Sequence, residues 1–393
     1  MAVNSTTRPF PWHRSFLRKP IAELYKTLQD RKPEINQFIM PGYKLLSFKS
    51  THLVVLALFR GKHVVIASSE GDYYEIDVLS DYYNEEVRVM SRRSDQPCSV
   101  YDRWNDSAFL SLIPPDEDSP IVFRNLLRKS IPENECFRPT WAKCLIATVL
   151  DKAVGVRASD WRAVDRRFPY EGLRWLDFAA GYGDRLITAI SMNIEYDGFD
   201  PNLKLKAGHD KAIVELNEFN KLRDPRLEEV KRRNKQQVHY VPFETAEIKA
   251  NYYDFVLTSP PFADVELYHH EGKQSSTDYP VLDDWIVKFL FVSLAKAWTS
   301  LKLGGYMILH LHDTDKVKIC EPAICFIETH LTGALREGVI GVTRHAKRLI
   351  RPVWVWQKQT SSDTNCKNLE TYFPALHKAY LKILLAPQNV SRV

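Results

Sequence analysis

Hydrophobic and polar positions change rhythm along this chain. From Pro139 onward, short apolar runs alternate with longer stretches that place apolar residues every third or fourth position. The runs predict strands at 173–178, 196–199, 238–243, 253–258, 305–311, 339–342 and 353–357. The stretches between them predict helices at 140–153, 184–192, about 203–220 and 283–301. The last helix is the clearest. Asp283 and Asp284 suit its positive N-terminal end, Trp285, Phe289 and Val292 share a face, and Gly304-Gly305 is read as its stop. Strand–helix alternation means α/β class, a doubly wound parallel sheet covered on both faces. The last two strands have no long helix between them, so they are expected to form an antiparallel hairpin.

The first ~130 residues follow another pattern. The opening is proline-punctuated and basic, with Arg14, Arg18 and Lys19 close together. Residues 45–68 read as short strands around a turn at Gly61-Lys62, and 80–93 and 99–112 as partly helical. Pro114-Pro115-Asp116-Glu117-Asp118 is a loop. This divides the chain into a smaller N-terminal α+β region, 1–130, and a larger domain, 131–393.

Composition narrows the class. The chain has 393 residues, 45% of them hydrophobic and 26% charged, which is the balance of a folded protein rather than a disordered one. A net charge of +5 permits a polyanionic partner without demanding one. The six cysteines are scattered, with no CxxC pair, so no zinc or disulfide framework is expected. The start has no apolar signal core, and the longest apolar run, 53–59, cannot span a bilayer. A reducing intracellular setting, cytoplasmic or nuclear, is the default, and no membrane contact is expected.

Three segments carry chemistry. Leu176-Asp177-Phe178-Ala179-Ala180-Gly181-Tyr182-Gly183 is a strand running into a glycine-containing turn, which lets backbone pass close to a ligand. Asp200 ends the second predicted strand, about 20 residues later, the offset of an acid that binds ribose hydroxyls. Thr258-Ser259-Pro260-Pro261-Phe262 closes the fourth strand. Two prolines stop a strand abruptly because neither can donate to the ladder. Oxygens are then left at the strand end with an aromatic ring beside them, which suits a flat ring bearing an NH2 group. Together the three point to group transfer onto an amine from a nucleotide-like cofactor.

These motifs, with Leu301-Lys302-Leu303-Gly304-Gly305, resemble the class I S-adenosylmethionine-dependent methyltransferases over roughly residues 139–358. The resemblance implies a Rossmann-like seven-stranded sheet. The Ser259-Pro260-Pro261-Phe262 loop is similar to that of the amino-methyltransferases of DNA and RNA bases. Serine in first place is most like the cytosine-N4 enzymes, whereas Asp or Asn is more typical of the adenine-N6 ones. Gly183-Asp184-Arg185-Leu186, Asp200-Pro201-Asn202, Thr258 to Phe262 and Glu266-Leu267-Tyr268 also look like predicted methylases of large DNA viruses. The chain departs from the family turn at Ala179, which stands where the first glycine is usual; alanine is small enough to keep the close approach.

The resemblance implies that S-adenosylmethionine is held by Asp177, Ala179, Gly181, Gly183 and Asp200. By the same analogy Glu244 contacts the adenosine part, and Pro139 and Thr140 begin a helix over the methionine part. Ser259 and Pro260 accept the amine hydrogens, Pro261 shapes the loop, and Phe262 stacks on the base. Such catalysis is positioning and electrostatics, and a base inside a duplex must be flipped out to reach it. The following loop, 263–279, lines the substrate entrance with Tyr268; its His269-His270 pair has no confirming ligand at metal spacing, so no metal is expected. Residues 338–362 contain no acid, and Arg344, Lys347 and Arg348 there, near Trp354 and Trp356, suit a nucleic-acid backbone and an unstacked base. The alternative for these tryptophans is the core. The expected substrate is therefore DNA or RNA, with residues 1–130 either governing its choice or packing on the larger domain as structural support. Two other readings are N-methylation of a protein side chain and a catalytically silent subunit that binds nucleic acid or a partner.

Overall fold

A computed structural model shows the fold. It describes residues 8–15, 19–31, 51–52, 58–67, 76–131, 137–150, 170–223, 235–263, 266–268, 274–343, 350–360 and 368–385. The strands among them are β1 (Val65–Ala67), β2 (Arg92–Arg93), β3 (Arg174–Asp177), β4 (Glu195–Phe199), β5 (Gln236–His239), β6 (Tyr253–Thr258), β7 (Glu266–Leu267), β8 (Leu301–His310), β9 (Ala334–Thr343) and β10 (Arg351–Lys358).

Eight strands form one sheet in the order β1-β9-β10-β8-β6-β3-β4-β5. β5, β4, β3, β6 and β8 run parallel. β10 runs antiparallel between β8 and β9, so the expected hairpin is present. The seven strands expected from residue 173 onward are all found, and the sheet gains an eighth: β1 pairs in parallel with β9 at the edge. Winding reverses between β3 and β6. The chain leaves β3 for β4 and β5 on one side, then returns to β6 on the other.

Side chains alternate across the sheet, as a doubly covered sheet requires. Trp175, Phe255, Leu257, Ile308, Val353 and Val355 face one core with the helices Ile21–Asp30, Pro139–Leu150 and Asp184–Ser191. Leu176, Val256, Met307, Leu309, Trp354 and Trp356 face the other. That second core is closed by Cys320–His330, Pro374–Leu385 and the helical run from Leu282 to Ser300. Trp354 and Trp356 are fully buried, and Trp354 Nε1 donates to the Leu311 carbonyl at 2.9 Å. They are core residues, not a stacking surface for bases.

Two boundaries differ from expectation. β5 ends at His239 rather than 243, because its neighbour β4 ends at Phe199, opposite His239; Pro242 beyond it has no N–H for a ladder. The Gly304-Gly305 pair lies inside β8, and the preceding helix already ends at Ser300. The register between β6 and β8 is irregular there, so the glycines mark a local distortion of the sheet rather than a helix stop. The long helix is also not uniform; Trp285–Phe291 is π-helical and buries Trp285, Phe289 and Phe291 in that core.

The N-terminal residues contribute in two ways. Helices Asp81–Met90, Val100–Trp104, Ser107–Leu110 and Pro120–Ser130 surround a small core of their own, with Phe10, Trp104, Phe109, Phe123 and Leu127. Helix Ile21–Asp30 and β1 instead join the large core. Of the expected strands at 45–68, the described part is a tight turn bridging Phe59 to Lys62 that leads into β1.

Candidate active site

The parallel strands β3, β4, β6 and β8 end on the same edge of the sheet, so Asp177, Asp200, Ser259 and His310 are brought to one rim. The reversal of winding opens this rim between β3 and β6, where open α/β sheets bind ligands.

The turn after β3 is shaped by its glycines. Gly181 has φ +59 and Gly183 φ +101, left-handed values that disfavour a side chain. A Cβ on Gly183 would stand 3.1 Å from the His209 ring. At Gly181 the nearest atom to such a Cβ is the Ala179 carbonyl at 3.9 Å, so the turn is open on that side. Gly183 leads directly into helix Asp184–Ser191.

Asp177 anchors this turn from within. It is fully buried, and its carboxylate accepts from Arg185 Nε at 2.7 Å, the Tyr196 hydroxyl at 2.8 Å and the Ala179 N–H at 3.2 Å. Arg185 also donates to the Ala179 carbonyl. Asp200 faces the turn instead. Its Oδ2 accepts from Gly181 N–H at 2.9 Å and its Oδ1 from Asn202 N–H at 2.9 Å. Burial pushes its carboxyl up to about 6, against the pull of those two N–H groups. His209 closes the outer side of the turn. Its Nε2 lies 3.0 Å from the Gly181 carbonyl and its Nδ1 3.0 Å from the Tyr240 hydroxyl. Burial lowers its imidazole to about 4, so it is neutral at physiological pH.

Glu244 lies beyond β5 in the loop after Pro242, half-buried, with the Tyr279 hydroxyl donating to it at 3.4 Å. Burial raises its carboxyl above the ordinary value. Pro139 and Thr140 do begin helix Pro139–Leu150, but the Thr140 hydroxyl is committed to Asp77 at 2.6 Å and the Pro139 carbonyl accepts from Thr188 at 3.2 Å.

At the end of β6, Ser259 is partly exposed and Pro260 is buried. Ser259 Oγ lies 2.8 Å from His310 Nδ1. Phe262 packs on His312 with ring centres 4.2 Å apart, and edge-on to His310 at 5.9 Å. Ala263 follows with φ 45, a left-handed value held by a non-glycine residue, so the loop turns sharply at a cost in strain. Tyr268 sits beside Tyr182 of the glycine turn, ring centres 6.2 Å apart. β7, next to it, pairs with β2 of the N-terminal region, and Ser91 Oγ donates to the Tyr268 carbonyl at 3.1 Å. The loop after Phe262 is thus tied to residues 91–93. Asn84 likewise donates to the Tyr182 carbonyl at 3.0 Å, and Ser80 to Asp184 at 2.7 Å. Arg344, Lys347 and Arg348 lie outside the described residues.

Sequence reasoning missed His209, His310, Arg185 and Asn84. Arg185 stood inside a quoted motif, but nothing in the spacing paired it with Asp177. The others reach the rim from remote segments. Among the described residues, His13, Asp81 and Glu85 come close enough to hold a metal ion. Arginines occupy that cluster: Arg88 pairs with Asp81, Arg124 with Glu85 at 2.8 Å, and Arg128 with His13 at 2.6 Å. It is a buried ion network. Among the described residues, no helix is long and apolar enough to cross a membrane.

No protein-family model matches the chain, and no curated protein does. Several solved structures resemble it. A SAM-dependent methyltransferase from Methanosarcina mazei is 15% identical, with 47% of this chain and 92% of that one covered at a TM-score of 0.30. An rRNA methylase from Streptococcus thermophilus is 10% identical, covering 48% and 88% at 0.28. The 16S rRNA N2 G1207 methyltransferase of T. thermophilus, in complex with AdoMet and guanosine, is 16% identical, covering 48% and 36% at 0.27.

Proposed function

We propose that this chain transfers a methyl group from S-adenosylmethionine to the exocyclic amine of a base in DNA or RNA, with cytosine N4 and adenine N6 as the candidates. One juxtaposition carries the reading. The open glycine turn with Asp200 and the Ser259-Pro260-Pro261-Phe262 loop end on one rim, at the reversal of the sheet.

The cofactor fits the residues present. Gly181 leaves open space beside its Cα, and Asp200 presents a carboxylate already fixed by two N–H groups. In this reading Asp200 holds the ribose hydroxyls, Gly181 and Gly183 let the ligand approach, and Asp177 with Arg185 keeps the turn in shape. Ala179, Glu244 and the helix begun by Pro139 and Thr140 complete the cradle. Bound there, the cofactor supplies a methyl carried on a positively charged sulfur.

A base amine is a poor nucleophile, because its lone pair is conjugated with the ring. Ser259 Oγ and the Pro260 carbonyl accept its two hydrogens and free the lone pair for the methyl. Ser259 and Pro260 hold the amine nitrogen toward the methyl group, whose bonding electron pair leaves with the cofactor. The nitrogen then sheds one proton to water. Phe262, braced by His312, sets the angle of the base, and Tyr268 lines the entrance. Ser259 favours cytosine, and Arg344, Lys347 and Arg348 supply phosphate contacts. Residues 1–130 are read as the part that selects the substrate, since Ser91 to Arg93 already hold the loop beyond Phe262.

The test is incubation of the purified chain with methyl-labelled S-adenosylmethionine and DNA, RNA and protein pools. Label in nucleic acid supports the reading. Label in protein alone supports side-chain methylation. Cofactor binding without transfer to any pool supports a silent subunit.

A further inference from the structure

We propose that His310 is a positioning residue that fixes Ser259 as a hydrogen-bond acceptor toward the substrate amine, and so lets a neutral serine stand where related loops use Asp or Asn. The inference rests on the base-amine reading above.

The geometry is specific. Ser259 Oγ and His310 Nδ1 are 2.8 Å apart, on the adjacent strands β6 and β8. A hydroxyl has one proton and two lone pairs. If that proton is given to His310 Nδ1, both lone pairs of Ser259 are left for incoming N–H groups. If Nδ1 instead carries the proton and donates, Ser259 keeps its own O–H, which then competes for the position an amine hydrogen needs. The first arrangement requires the tautomer with hydrogen on Nε2.

The surroundings favour a neutral ring. His310 is buried, between Phe137 at 5.2 Å and Phe262 at 5.9 Å, and its Nε2 has no hydrogen-bond partner among the described residues. The charged and titratable groups facing it are His312 just beyond the end of its own strand, Arg351 on β10 and Arg185 on the helix after the glycine turn. Burial first, then all three neighbours, hold its imidazole well below the ordinary histidine value. The doubly protonated ring, whose Nδ1 would have to donate, is therefore suppressed; of the two neutral tautomers, the proposal assigns the one with hydrogen on Nε2, which the nitrogen-15 measurement below tests. A buried polar atom left unpaired costs stability. A phenylalanine would fill the same space without that cost, so packing alone does not account for a histidine here.

The test compares His310→Asn and His310→Phe with wild type on single-stranded oligonucleotides containing cytosine or adenine. Asparagine keeps an acceptor close to the place of Nδ1, and phenylalanine removes it. We expect His310→Phe to lower kcat about tenfold or more, with S-adenosylmethionine affinity unchanged, and His310→Asn to recover most of the loss. In a Ser259→Ala background the His310→Phe effect should vanish, as a residue acting through Ser259 requires. Nitrogen-15 spectra of the labelled histidines should show His310 protonated on Nε2, and the Nδ1 signal should move on Ser259→Ala. Equal activity of the Phe and Asn variants, additive effects with Ser259→Ala, or a proton on Nδ1 would overturn the proposal. If wild type binds the cofactor but methylates neither oligonucleotide, the base-amine reading fails and this role fails with it. If wild type is active and His310→Phe is equally active, only this role fails.

Discussion

At the scale of single residues, Asp200 and Phe262 separate binding from chemistry. Asp200→Ala should weaken S-adenosylmethionine binding by on the order of 1.5–3 kcal/mol, the loss of a charged hydrogen bond, as read by calorimetry. The wild type should show a matching pH dependence. The Asp200 carboxyl sits near 6, so affinity falls as pH drops through 6 and the carboxylate takes a proton, and it recovers as pH rises. Unchanged affinity between pH 5 and 8 would contradict the ribose role. Phe262→Ala or Pro260→Ala should instead lower kcat far more than cofactor affinity, because the loop acts on the amine at the reacting centre. Losses of equal size in binding and turnover would count against that division. Ser259, Asp200 and the glycine turn were legible because each stands at a strand end that its own sequence announces. His209 and His310 were not. Their roles depend on which strand lies beside which, and no local pattern carries that.

At the scale of elements, the apolar rhythm of the strands predicted the sheet because alternation on two buried faces leaves a strong signature. It failed where a local breaker had a tertiary purpose. Gly304-Gly305 reads as a helix stop in isolation but serves the irregular pairing of β8 with β6. The helix Pro120–Ser130, unforeseen in the sequence, buries only Phe123, Arg124 and Leu127. So narrow an apolar stripe gives a weak periodic signal. The contact between helices Asp81–Met90 and Lys206–Arg223 is closer still. A Cβ on Gly208 would lie 2.0 Å from Asn84 Oδ1 and 2.6 Å from the Tyr83 carbonyl. Gly208→Ala must push these helices apart or displace Asn84, whose amide holds the Tyr182 carbonyl. We expect a loss of about 1–3 kcal/mol in stability. Because Tyr182 belongs to the glycine turn, cofactor affinity should fall as well. A variant with wild-type melting and wild-type affinity would show that this contact does not support the turn.

At the scale of the whole molecule, the N-terminal residues are both scaffold and neighbour of the site. Helix Ile21–Asp30, β1, Ile76 and Leu79 belong to the large core, whereas residues 89–131 pack a small core with Phe10, and residues 84–93 touch the glycine turn and the loop after Phe262. Deleting them would remove core as well as any recognition surface, so point substitutions are the cleaner probe. Replacing Arg344, Lys347 and Arg348 together by alanine should weaken nucleic-acid binding and flatten its dependence on salt, while cofactor affinity stays unchanged. An unaltered salt slope would remove the basic segment from the interface.

A methyl placed on the exocyclic nitrogen of a base distinguishes the proposed function from protein methylation and from silent binding. The most direct measurement is nucleoside mass spectrometry of DNA and RNA incubated with the purified chain and labelled S-adenosylmethionine. The predicted product is N4-methylcytosine or N6-methyladenine, absent from the Phe262→Ala reaction. Label found only on a ring carbon, a ribose oxygen or protein would contradict the account.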